Sequence, residues 1–356
     1  MTLTDVAHQR LINQQVVGTQ LKSPKEVVGW LGAVQAQDYY MAKWAIGLRM
    51  INATDRLIEE AINSAEIIRT HVMRPTWHFA LAQDIRWMLQ LTAPHLKASM
   101  KSSQAKLGLN EKIFKRTNGI IEKLLIGDKH LTRSEIVAEL KKKKIAADNL
   151  QATHIMFDAE LNGIVCNGPM RGKQFTYALM DERIPSTKSL PKEEALAKLS
   201  LKYFTSHGPA TIQDFTWWSG LPVADAKAGL EMIKGKLMSE KIENKIYWYV
   251  EPSSVKSFQS PPLFLPAYDE FMISYTDRSA SLNPSFSKIA LMGNGIFRPI
   301  IVVDGKAIGI WMRTIKKDQV VIETKFFRSK ENLKKKDIES LMQSFGNFLN
   351  LEVKVK

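Results

Sequence analysis

Cysteine is almost missing from this chain: Cys166 is the only one in 356 residues. One thiol cannot form a disulfide framework, and zinc sites built on cysteine pairs are excluded as well. Long apolar runs are also missing, since nothing approaches the roughly 20 residues needed to cross a bilayer. The opening "MTLTDVAHQRLINQQ" lacks the basic-then-apolar order of a secretory signal and reads instead as an amphipathic helix. The seven histidines have no ligand spacing with one another or with Cys166. "GNGIF" at 293–297 lacks the strand and helix that flank a phosphate loop, and no G-x-S-x-G occurs. These absences point to a reducing, cytoplasmic setting and to chemistry without a metal or cofactor.

Acidic residues are in short supply. Lys and Arg number 50 against 36 Asp and Glu, which leaves a net charge of +14 and a pI near 9.6. The excess is uneven: residues 97–144 hold 13 Lys or Arg and 5 Asp or Glu, so this stretch carries +8. A basic field of that size suits a polyanion such as DNA or RNA.

What is present is a repeated local pattern. "SPKEVVGWL" from Ser23, "TRSEIVAEL" from Thr132 and "TIQDFTWWSGL" from Thr211 each place Glu or Asp three residues after a Ser or Thr, opening an apolar-periodic stretch. Pro24 stands at the helix position that tolerates proline best. Each box is followed by a strand-turn-strand candidate: "IIRTHVMRPTWHFAL" turning at "MRP", "GIVCNGPMRGKQFTYAL" turning at "NGPMRGK", and "KIENKIYWYV" turning at Glu243-Asn244. Helix, capped helix, helix, hairpin is the order of a winged helix-turn-helix. The expected fold is therefore α+β, with three tandem winged helices at 1–100, 101–188 and 189–251. A β-rich module at 252–356 follows, with a hairpin at Asp304-Gly305 and a closing basic helix from about Lys330 to Leu349. The run "KENLKKKD" reads as a solvated helix face.

Four stretches carry a resemblance: "LGAVQAQDYYMAKWAIGLR", "RTHVMRPTWHFALAQDIRWMLQLTAP", "SHGPATIQDFTWWSGL" and "FLPAYDEFMISYTDRS". In this order they resemble the AlkZ/YcaQ family of bacterial winged-helix DNA glycosylases, from near Leu11 to about Arg313. The resemblance implies three winged helices and a β-rich domain around a basic cleft. It also implies excision of bulky N3- or N7-alkylated purines in base excision repair, with some members unhooking interstrand crosslinks. The family's Gln-x-Gln signature falls on Gln35-Ala36-Gln37, with Ala where a larger aliphatic residue is usual. The implied partner is double-stranded DNA bearing alkylated purines, bound by a monomer.

The stretch from Trp30 to Leu48 reads almost throughout as a buried helix, and its polar residues Gln35, Gln37 and Asp38 need a reason. Residues i and i+2 of a regular helix point apart, so two amides serving one cleft require a helix end or distortion there. Chemistry explains why amides suffice. Alkylation at N7 or N3 makes the purine cationic and a good leaving group, so no acid is needed. A glutamine oxygen can then hold the attacking water and set its dipole against an oxocarbenium-like sugar. The rival reading is a buried polar pair satisfying backbone groups at a helix junction. Asp38 is a competing water activator. Arg69, His71, Arg74 and His78 lie on or beside the first hairpin, where Arg69 and His71 share a face and the tip could wedge open a duplex; structural burial is the alternative for both histidines, and core packing for Trp77. Arg171 and Lys173 read as phosphate contacts of the second hairpin, with a solvated loop as the competing reading. Asp269, Glu270, Asp277 and Arg278 either tie the β module to the winged helices or line the cleft. A non-catalytic winged-helix DNA-binding protein or transcriptional regulator is the competing function.

Overall fold

The computed structural model describes residues 1–145, 147–251, 260–328 and 333–355. Helix α1 (Leu3–Asn13) is capped by Thr2 and Asp5 in a reciprocal box. It docks away from the elements that follow it in sequence: Arg10 donates through Nε to the Pro209 carbonyl at 2.9 Å, and its guanidinium lies 3.5 Å from the Tyr275 ring centroid.

The first unit runs α2 (Pro24–Leu31), β1 (Val34–Gln35), α3 (Tyr39–Gly47), α4 (Asp55–Asn63), β2 (Ile67–His71) and β3 (Trp77–Leu81), with sheet order β1-β3-β2. The expected continuous helix from Trp30 to Leu48 is thus two helices with a strand between them. Gly32, at φ +82°, ends α2 in a conformation a side chain would strain. Asp38 restarts the helix by accepting from the Met41 amide at 3.1 Å. The expectation of a helix break at Gln35–Asp38 holds.

A 25-residue helix, α5 (Ala82–Lys106), leads to the second unit: α6 (Glu111–Leu125), β4 (Leu131–Thr132), α7 (Arg133–Lys142), α8 (Asn149–Leu161), β5 (Val165–Asn167) and β6 (Thr176–Leu179), in order β4-β6-β5. After α9 (Met180–Arg183), the third unit has α10 (Lys192–Ser206), α11 (Ile212–Ser219), α12 (Val223–Ile233), β7 (Met238–Ile242) and β8 (Lys245–Tyr249). Here the short first strand is reduced to a bridge between Ala210 and Trp248. All three hairpins turn where the sequence places them.

The register of the capping boxes needs correction. Thr132 and Thr211 form full boxes at the second helix of their units. Ser23 caps the first helix of its unit, and Glu26 reaches the Lys22 amide rather than that of Ser23. The first-unit equivalent of Thr132 and Thr211 is Asp38. Cap signals are local, so they mark a helix start without saying which helix.

The last module contains β9 (Leu263–Leu265), α13 (Glu270–Ile273), α14 (Ser287–Ala290), β10 (Leu291–Met292), β11 (Ile296–Phe297), β12 (Ile300–Val303), β13 (Lys306–Ile315), β14 (Gln319–Phe326), α15 (Lys335–Leu349) and β15 (Glu352–Val355). Five strands pair in the order β15-β14-β13-β12-β9, and only β14 and β15 run parallel. Residues 252–259 of the Pro- and Ser-rich entry, and 329–332, where the closing helix was expected to start, lie outside the described residues; α15 begins at Lys335. This module shares one core with the first unit: Val34, Trp44, Ile46 and Phe79 pack in the same cluster as Ile301, Trp311, Phe345 and Phe348. The fit is close enough that a Cβ on Gly47 would come within 2.6 Å of the Phe348 ring. That shared core fixes the first unit's sheet against the module's β-sheet.

Candidate active site

The joint between β1 and α3 is held from both sides. Gln35 pairs with His78 across the ladder, and the Ala36 amide donates to the Trp77 carbonyl at 2.7 Å. On the other edge of β1, the Gln35 amide donates to Glu270 Oε1 at 2.7 Å. The Ala36 carbonyl accepts from Arg69 Nε at 3.1 Å and Nη2 at 3.0 Å. Arg69 is itself stacked, 4.5 Å from the Trp77 ring centroid and 4.8 Å from that of Phe175. Both neighbours of Gln37 are therefore anchored, Ala36 by its backbone and Asp38 by its capping bond.

The two glutamines meet different surroundings. Gln35 is 5 % exposed, and its Oε1 is buried with no hydrogen-bond partner among the described residues. Leaving such an oxygen unsatisfied costs about 1–3 kcal/mol, and native proteins rarely retain one without a use for it. Gln37 is exposed and lines a groove of about 630 Å³. The residues lining that groove do not include Gln35, so the expectation that both amide groups face one cleft is met by Gln37 alone.

The groove is cationic and aromatic. Arg69, Arg298 and Arg313 stand on it against one carboxylate, Asp38. Asp38 Oδ1 lies 3.7 Å from Arg313 Nη2 while also serving as the helix cap, which gives it two structural tasks. Tyr40, Phe175 and Tyr268 supply ring surface. Phe175 comes from the second unit's hairpin and packs 5.0 Å from Tyr39, centroid to centroid. Sequence reading missed Phe175, Arg298 and Arg313. Their only local signal is residue type, because three separate segments bring them together.

The remaining hairpin residues face inward, which corrects their assignment as DNA contacts. Arg69 and His71 do share a face, both against Trp77. His71, however, is 7 % exposed, with its Nδ1 and backbone amide on the buried Glu160 carboxylate. His78 is fully buried; Nδ1 donates to the Thr76 carbonyl at 2.9 Å, and Nε2 accepts from Arg74 Nη2 at 3.3 Å. Burial, and secondarily the Arg74 charge, lowers the His78 pKa to about 3, so this ring is neutral. Arg74 is spent on that contact instead of reaching a phosphate. In the second hairpin, Arg171 donates to Glu135 at 2.8 Å and to the His130 carbonyl, which ties the turn to α7. Lys173 is exposed. Of the four charged residues near the module's entry, Asp269 accepts from both Arg49 terminal nitrogens at 2.8 and 2.9 Å, and Asp277 pairs with Lys245. They tie the module to its neighbours.

The model of the family described as DNA glycosylase AlkZ-like matches residues 28–348. The chain belongs to that family. Its members are DNA glycosylases, hydrolases of N-glycosyl bonds, and this chain is one of them. A relative from Streptomyces sahachiroi, named "Interstrand DNA cross-link repair glycosylase", is 24 % identical over 324 residues, covering 85 % of each chain. The solved structure of the Streptomyces sahachiroi DNA glycosylase AlkZ superposes with a TM-score of 0.84 at 20 % identity, covering 100 % of both chains. The α+β fold of this glycosylase is thus the AlkZ fold.

The third helix of each unit bears on how this glycosylase meets DNA. Helix α4, "DRLIEEAIN", carries three carboxylates against one arginine. In α8, nine of 13 residues are buried. Helix α12, "VADAKAGLEMI", has two acids and one lysine. None of the three offers an accessible basic face to a major groove.

Proposed function

We propose that this glycosylase excises bulky N3- or N7-alkylated purines from double-stranded DNA, as a metal-free cytoplasmic monomer, and leaves an abasic site without cutting the strand. The relative's name supports extending this reading to interstrand crosslinks. The three repeated units are read as winged helix-turn-helix motifs, at 1–100, 101–188 and 189–251, followed by the β-rich module at 252–356; α1 docks on the third unit. They act as a scaffold for the groove. A sequence-reading regulator needs an accessible third helix, and an acidic α4 and a buried α8 count against it.

In the proposed reaction the alkylated base already carries positive charge. As its bond to C1′ lengthens, the bonding electrons move onto the purine and neutralise it, while charge builds on the sugar. Gln37 Oε1, on the groove wall, accepts a hydrogen bond from the attacking water and aims it at C1′; the water's spare proton passes to solvent. Gln35, with its open buried acceptor, supports that water or the sugar charge from within. Neutral amides are less costly to bury than a carboxylate pair, and no acid is required because the leaving group needs no proton. Arg69, Arg298, Arg313 and Lys173 meet phosphates, which provides affinity without reading sequence.

The observation that carries this reading is the pairing of an exposed Gln37 on a cationic groove with a buried Gln35 oxygen two residues away that has no hydrogen-bond partner among the described residues. The direct test is a duplex oligonucleotide with a single N7-methylguanine, incubated with the protein and then treated with alkali. Breakage only after alkali is expected. No base release from this duplex or from a crosslinked one would overturn the proposal, and breakage without alkali would overturn its monofunctional part.

A further inference from the structure

Strand β1 lies at the edge of its sheet, so alternate backbone groups face away from β3 and need partners elsewhere. Ala36 is turned inward to Trp77; the outward amide is that of Gln35, and Glu270 accepts it. Glu270 is 1 % exposed, at the start of α13. Its second oxygen accepts from the Ser274 hydroxyl at 2.5 Å and from Trp218 Nε1 at 3.2 Å, with His207 Nε2 at 3.6 Å. Burial pushes the carboxyl up, but His207, Arg74 and Ser274 more than offset this and hold its pKa at about 2. A buried carboxylate is a costly way to join two elements, since well-packed apolar residues would do so at least as well. An apolar residue, though, could not accept an amide hydrogen.

We propose that Glu270 is a positioning residue for base excision: its carboxylate grips the Gln35 amide on one edge of β1 while Arg69 grips the Ala36 carbonyl on the other, and together they set where the glutamine pair sits. The inference rests on the glutamine reading above. Without the Glu270 acceptor, the outward Gln35 amide has no partner and β1 can shift on its outer side. A displacement near 1 Å at the reacting centre is enough to slow catalysis roughly a hundredfold. Trp218 and His207 belong to the third unit, so Glu270 also links that unit to the reacting centre without touching DNA.

The test uses the full chain with Glu270→Ala, Glu270→Gln, Gln37→Ala and the Gln37→Ala/Glu270→Ala pair, on the N7-methylguanine duplex under single-turnover conditions. DNA affinity is measured by anisotropy and folding by thermal melting. Glu270→Ala is expected to slow base release by roughly tenfold to a hundredfold with affinity unchanged within about twofold. Glu270→Gln, whose amide oxygen can still accept from Gln35, should recover most of the rate. The double variant should be no slower than Gln37→Ala, because the two changes act on one element. An unaltered rate in Glu270→Ala, independent effects in the double variant, or a Glu270→Gln as slow as Glu270→Ala would each overturn the proposal. If Glu270→Ala does not fold, Ser274→Ala removes the hydroxyl that orients the carboxylate; slower release at unchanged affinity supports the role, and a wild-type rate overturns it. Full activity in Gln37→Ala beside a slow Glu270→Ala would refute the glutamine reading; the reverse result would refute this one.

Discussion

In the second unit Thr132 ends β4 and caps α7 at once, so strand passes into helix with nothing between. The third unit does the same, from the bridge at Ala210 to the cap at Thr211. In the first unit, Gln35 ends β1, Asp38 caps α3, and two residues, Ala36 and Gln37, intervene. In the proposed reading those two residues separate a scaffold from the reacting site. The extra span lets Gln37 emerge on the groove while Gln35 stays inside, and Glu270 and Arg69 bond the backbone of Gln35 and Ala36 from opposite edges. The second unit's hairpin contributes Phe175 to the same groove, so the unit without a lengthened joint still serves the one that has it.

The sharpest way to break this comparison is Gln37→Ala, which removes what the lengthened joint presents. Base release in single turnover should fall by about a hundredfold or more, with DNA affinity nearly intact; an unchanged rate would reduce the joint to an ordinary loop. Next comes Arg69→Met, which keeps a stem against Trp77 but frees the Ala36 carbonyl. We expect roughly a tenfold loss of rate and about 1–3 kcal/mol less stability in a denaturant melt, because a buried carbonyl loses its donors, together with weaker DNA binding from the lost phosphate contact; a loss of affinity alone would remove the positioning role of Arg69. The smallest effect belongs to the cap. Asp38→Asn keeps the capping oxygen and should stay within about threefold of the wild-type rate, and Asp38→Ala should lose about 1 kcal/mol of stability. A collapse of activity in Asp38→Asn alone would make the aspartate the water activator.

Sequence was informative where the physics is local. The Thr132 and Thr211 caps, the three turns and the Asp304-Gly305 hairpin depend on a few adjacent residues and stand where expected, whereas Ser23 caps a different helix of its unit. The helix break at Gln35 was legible only as a steric need of the two glutamines, since the apolar run around it conceals β1. The burial of His71 and His78 was legible only as an alternative, and the inward turn of Arg74 not at all, because both depend on Glu160 from α8 and on a buried face assembled from distant segments. Likewise, no local pattern marks Phe175, Arg298 and Arg313 as neighbours of Gln37. Glu270 was visible as part of a dense charge set with a tying role, but its grip on β1 depends on edge exposure that only the assembled sheet reveals.

The core shared between the first unit and the last module sets a timetable. Phe345 and Phe348, among the final dozen residues, close the cluster that contains Val34 and Trp44. A chain growing from the ribosome holds both glutamines early, yet completes the core behind β1 only once α15 has emerged. Removing the rings of Phe345 and Phe348 should therefore loosen a strand near the start of the chain, so the far helix acts as a clasp on the edge that carries Gln35.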